Sequence, residues 1–208
     1  MINVTIQPDP VQMERLREEL GAIPGGVARA TVAAVNSTGR WTRTRIIRAL
    51  AAELALKRKE VSDRVTLATA SASNPGAALT VTGKRIPLMG WGARPDRVRN
   101  TRRAKSPITY MIKKSQGRKA IAGGFVMELG KAGRRWVMVR KGKARFPVRA
   151  PYGPSIPQVV EDMPEAKRLF AVDIGERLNT EMESKVRWLL NRRKGQPLDA
   201  PAAVGGAP

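Results

Sequence analysis

The chain has 208 residues, enough to bury a substantial core as one domain or one domain with arms. Thirty-nine Lys and Arg against seventeen Asp and Glu give a formal net charge of +22, which hardly moves across physiological pH because there is no His. The lack of Cys and His excludes disulfides, thiolate or imidazole metal ligands, Cys nucleophiles and His general bases, and 4% aromatics weighs against base-stacking nucleic-acid modules.

Ile2, Val4 and Ile6 alternate with polar neighbours, which predicts a short strand or extended arm with one buried face. Asp9 as N-cap, Pro10 at the first helical position and Gln12 at N3 then start a helix lined by Met13, Leu16 and Leu20 and ended by Gly21. After the connector Ile23-Pro24-Gly25-Gly26, an Ala-rich segment reads as helix from Val27 to about Leu56. Asn36 to Gly39 predicts a break near Gly39, and Ile46, Ile47, Leu50, Ala51 and Leu54 recur at helical spacing beyond it.

Lys57 to Asp63 is a short charged segment that reads as helical, after which period-two patterning begins. Val65 and Leu67 open a strand, Asn74-Pro75-Gly76 makes a turn, and Leu79 with Val81 resumes in a second strand; Ile86, Leu88 and Trp91 are expected to extend the sheet. Arg94 to Pro107 reads as a basic loop. Ile108, Tyr110 and Ile112 form another strand. Phe125, Met127 and Leu129 lead through Gly130-Lys131-Ala132-Gly133 into a return strand with Trp136 and Met138 on one face and Arg135, Val137 and Val139 on the other. Phe146 to Pro157 contains four Pro and predicts an ordered extended connection. Asp162 is expected to cap a long final helix with Pro164 in its first turn and a stripe of Leu169, Ile174, Leu178, Met182, Val186, Leu189 and Leu190, ending near Arg193.

The fold class is therefore α+β: a helical N-terminal part, a central antiparallel β-sheet with basic loops, and a long C-terminal helix. Residues 1–194 are expected to form a single domain with an extended N-terminal arm and a basic loop at 94–107. Residues 195–208 make an Ala/Pro/Gly-rich tail with no core-forming pattern. No apolar run approaches the roughly 18 residues that would span a bilayer, and no signal-peptide pattern opens the chain, so neither membrane insertion nor secretion is expected.

Between Arg94 and Arg145, seventeen basic residues face only two acids, Asp96 and Glu128. Such density repels itself unless an anionic partner neutralises it, although a solvated basic face that only confers solubility would look the same. The candidate contact residues for DNA or an acidic protein partner are Arg94, Arg97, Arg99, Arg102, Arg103, Lys105, Lys113, Lys114, Arg118 and Lys119. Asp96 and Glu183-Ser184-Lys185 superficially match pieces of a Mg-dependent phosphodiesterase site, but that chemistry needs carboxylates converging from adjacent strands, and they are rejected. Thr82-Gly83-Lys84 and Gly142-Lys143 lack the glycine that opens a phosphate-cradling loop. No catalytic, cofactor-binding or metal-binding residues are identified.

Arg145-Phe146-Pro147-Val148 and Tyr152-Gly153-Pro154-Ser155-Ile156-Pro157-Gln158 follow a basic hairpin and precede one long helix. With the Ile23-Pro24-Gly25 start of an Ala-rich helix, the basic turn from Lys57 to Val65 and the arginine-dense loop, this order resembles the minor tail protein Z family of tailed bacteriophages over most of the chain. The resemblance implies a non-enzymatic virion protein without cofactors, a tail-completion component at the head-proximal end of the tail that acts in head-tail joining and DNA passage and is assembled in the host cytoplasm. It implies as partners the tail terminator, head-tail connector and tail tube, with the DNA end as a further contact and no membrane. A homo-oligomeric ring, sixfold from tail symmetry in such phages, is also implied. Phe146, Pro147, Tyr152, Gly153, Pro154, Ile156 and Pro157 are expected to form a stiff strap or interface; a plain Pro-rich connector is the alternative. A sequence-independent DNA-binding protein working through the basic loop is the competing function.

Overall fold

The structure is a computed structural model that describes residues 1–96, 107–129 and 133–193. The mixed helix and sheet architecture is the expected one: α1 (Pro10–Leu20), α2 (Gly26–Glu53) and α3 (Arg58–Ser62) lie in the N-terminal part and α6 (Ile174–Arg193) is long. Among the described residues the strands make not one sheet but three. β1 (Ile2–Ile6), β3 (Ala77–Val81) and β2 (Val65–Ala68) form one with β3 in the centre, and β4 (Ile108–Tyr110) pairs antiparallel with β5 (Lys119–Ile121). β6 (Gly124–Leu129), β7 (Arg134–Arg140) and β8 (Val148–Arg149) form the third, antiparallel throughout.

The chain divides into two compact units, whose limits fall inside α2 and inside the first three strands. The first comprises Met1–Asn3, Arg43–Thr66 and Thr80–Leu169. The second comprises Val4–Thr42, Leu67–Leu79 and the segment from Phe170 onward.

The second unit is mainly helical. Asp9 and Gln12 close the expected capping box: the Gln12 amide donates to Asp9 Oδ1 at 2.7 Å and the Asp9 amide to Gln12 Oε1 at 2.9 Å, satisfying two of the donors that a helix start leaves free. Leu16 and Leu20 of α1 join Ile6, Ala30, Ala34, Val35, Ala70 and Ala77 in a core completed by Ile174, Leu178, Met182, Val186 and Leu189 of α6. The α6 residues recur every three or four positions and so share one face, and burying each large side chain contributes about 2 kcal/mol.

The break expected near Gly39 does not occur; α2 runs unbroken from Gly26 to Glu53. The polar run is a docking face. Asn36 donates to the Ala70 carbonyl at 3.0 Å and accepts from the Ala70 amide at 2.7 Å. A Cβ on Gly39 would stand 3.0 Å from Leu67 Cδ1, so the glycine admits the β2 side chain, and Thr42 returns its hydroxyl to the Thr38 carbonyl at 2.9 Å within the helix.

In the first unit the end of α2 buries Ile46, Ile47, Leu50 and Leu54. Arg43 donates to the carbonyls of Val65 (2.9 Å) and Ser62 (3.2 Å), tying α3 and the start of β2 to the helix. Ile86, Leu88 and Trp91 are buried as expected for apolar residues but extend no sheet. Pro87 lacks an amide donor, and the chain turns at Leu88–Gly92, where Gly92 takes φ +62°.

Asp162 caps nothing; it is the last residue of α4 (Ile156–Asp162), a helix not expected from the sequence. Ser155 and Gln158 form its capping box, with the Ser155 amide donating to Gln158 Oε1 at 3.0 Å, so the expected strap residues Ile156 and Pro157 open a helix. Met163 stands at the N-cap of α5 (Pro164–Arg168), and a π turn, Leu169–Asp173, leads into α6.

Candidate functional site

The candidate residues that lie within the described chain all belong to the first unit. Arg97, Arg99, Arg102, Arg103 and Lys105, the centre of the expected basic loop, lie outside the described residues. At its start, Arg94 exchanges both backbone hydrogen bonds with Thr109, at 2.7 and 2.8 Å, and its side chain is exposed.

Three candidate cations are engaged within the chain. Arg118 donates to Thr109 Oγ1 (2.9 Å) and to the carbonyls of Thr109 (2.8 Å) and Gly92 (2.7 Å), clamping the 88–92 turn onto β4. Lys114 Nζ donates to the Ala51 carbonyl at 2.7 Å, and Lys113 stands 3.8 Å from Glu53. Both therefore face the negative end of α2, whose own last turn holds no basic residue. Lys119 is exposed on β5, its backbone paired with Tyr110.

The strap is braced by aromatic rings. Lys141 donates its amide to the Pro147 carbonyl at 3.0 Å, and Val148–Arg149 adds a short edge strand to β7. Tyr152 sets its ring edge-on to Trp136, centroids 6.4 Å apart at 69°. The Gly153 amide donates to the Ile86 carbonyl at 2.8 Å, and its backbone lies so close to buried Trp91 that a Cβ there would stand 2.3 Å from Nε1. Phe146 is 62% and Tyr152 51% exposed. An open cleft of about 520 Å³, lined by Arg85, Tyr152, Gly153, Pro154, Gln158, Glu161 and Asp162, flanks the strap.

The β6–β7 sheet adds further cations beside the candidate residues, in a stretch with no acid between Glu128 and Glu161. Arg135 is engaged with Glu128 (3.3 Å) and with the Asp96 carbonyl (3.1 Å). Arg140 lies over the Phe125 ring, 5.1 Å from its centroid. Among the described residues no three Asp or Glu side chains gather as a metal-holding group. The first unit thus carries exposed cations such as Arg94 and Lys119 and, in Tyr152 and Trp136, braced aromatic rings.

The model of the family described as prophage minor tail protein Z (GPZ) matches residues 17–192, and the chain belongs to that family. It is therefore a phage tail protein. The chain is similar to the tail completion protein of Escherichia phage N15, 26% identical over 182 residues that cover 86% of this chain and 97% of that protein. No solved structure matches it.

Proposed function

We propose that this chain completes the phage tail at its head-proximal end, acting as a structural protein in head-tail joining and in the passage of DNA. Its partners in this reading are the tail terminator, the head-tail connector and the tail tube, with the DNA end as a further contact, and its copies form a ring, six by tail symmetry. The carrying observation is the match of the tail-protein family over residues 17–192, and the name of the phage N15 relative supports the step to tail completion. The charge distribution supports it further. The described residues of the first unit include 23 basic and 8 acidic side chains, so a junction of acidic surfaces or phosphates would relieve a repulsion that the chain alone sustains. Sequence-independent DNA binding through the basic loop at 94–107 is the competing reading; of the candidate cations outside that loop, Lys113, Lys114 and Arg118 already serve partners within the chain.

The test is a phage lacking this chain, complemented from a plasmid. Separately purified heads and tails are mixed and joined particles counted by electron microscopy. Tails made without the chain should fail to give infectious particles, and tails made with it should carry it at the head-proximal end. Normal infectivity without the chain, or its absence from purified tails, defeats the reading.

A further inference from the structure

The register of β6 and β7 places Phe125 opposite Met138, Met127 opposite Trp136 and Leu129 opposite Arg134. Because strand side chains alternate, one face of this sheet carries Phe125, Met127, Leu129, Arg134, Trp136, Met138 and Arg140, of which Met138 is buried and Leu129 exposed, and Tyr152 of the strap joins it against Trp136. Phe125, Met127 and Trp136 are only partly buried, and Tyr152 is half exposed. Arg134 and Arg140 stand exposed towards the two ends of β7, with no ion pair among the described residues. Arg149 belongs to the opposite face, since it pairs with Val139.

We infer that this face docks a protein surface with an apolar centre and an acidic rim, contributed by a different virion protein; the inference rests on the reading of the chain as a tail component. Aromatic residues, Met and Arg are the types enriched where protein surfaces meet, and here they form a continuous patch on rigid strands. A duplex backbone would engage the two arginines but leave Phe125, Met127 and Trp136 without apolar contact. A second copy meeting it face to face would set arginines against arginines, and the first unit of a ring neighbour, with 23 basic to 8 acidic described side chains, offers few acids to pair them. The 32-residue stretch from Leu129 to Val160 holds no acid, and Glu128 of the same sheet is taken by Arg135, so Arg134 and Arg140 are left to pair with acids of a partner.

The experiment places a photo-cross-linking phenylalanine analogue at Tyr152 of the full chain during phage assembly in cells, then identifies the cross-linked product in purified particles by peptide mass spectrometry. The expected product joins Tyr152 to an acid-rich segment of another virion protein and is resistant to nuclease. Arg134→Glu with Arg140→Glu should cut its yield about tenfold, whereas Arg149→Glu should change it by less than about twofold. Thermal unfolding of each purified variant within a few degrees of the parent shows that the fold is retained.

A nuclease-sensitive product, a product between two copies of this chain, no product from particles that contain the chain, or an equal loss with Arg149→Glu overturns the inference and leaves the tail reading intact. Absence of the unsubstituted chain from particles overturns the tail reading itself and the inference with it.

Discussion

The two compact units of this chain are nearly opposite in charge economy. In the described part of the second unit nine basic residues meet eight acidic ones, and several pair along their own helix, as Arg17 does with Glu14 and as Arg177 and Lys185 do with the nearly buried Glu181. The first unit has 23 against eight. The second is held by one apolar cluster at helical spacing; the first combines the apolar end of α2 and small sheets with guanidinium and ammonium groups that donate to backbone carbonyls. A neutral, self-satisfied unit has little need of a partner, and a strongly cationic one has an electrostatic reason to find one.

The largest effect should come from the apolar cluster. Leu20→Ala empties a fully buried position and should cost about 3 kcal/mol in urea unfolding, and a loss under 1 kcal/mol would mean the helical unit is not held by its core. Gly153→Ala tests the strap in the other unit. A methyl 2.3 Å from Trp91 Nε1 must displace either a buried indole or the strap backbone, so a loss of about 2 kcal/mol is expected with a shift in tryptophan emission; an unchanged midpoint would remove the reason given for glycine there.

Asn36→Ala removes both bonds to the Ala70 backbone and should cost about 1.5 kcal/mol, measured in the same way. The smallest effect sharpens the charge contrast directly. Raising salt from about 20 to 200 mM screens the repulsion among the cations and should raise the melting temperature by a few degrees, whereas a falling melting temperature would show that ion pairs outweigh repulsion.

Much of this was legible in the sequence. The Asp9-Pro10-Gln12 start of α1, the strands at Val65 and Leu79, the hairpin strands around Trp136 and the stripe on α6 all follow from local pattern. The errors share a cause. Asn36 to Gly39 looked like a helix break because polar and glycine residues disfavour helix locally, yet their hydrogen bond and close approach are made to residues some thirty positions away. The Ser155-Gln158 box was hidden inside a run that prolines made look extended, although proline suits a helix's first turn. Within the candidate site, the sequence showed the positive charge but not which cations were already engaged.

Sequence alone determined the family, the charge and the helix periodicity, because these depend on residue identity and on spacings of a few positions. Tertiary structure decided that Lys113 and Lys114 serve the end of α2, that Arg118 clamps a turn, that glycine at 153 is imposed by Trp91, and that the aromatic residues of β6 and β7 share a face with Arg134 and Arg140. Each of these depends on a partner distant in the chain or on strand register, and a one-residue slip in register would turn the same side chains to the other side of the sheet.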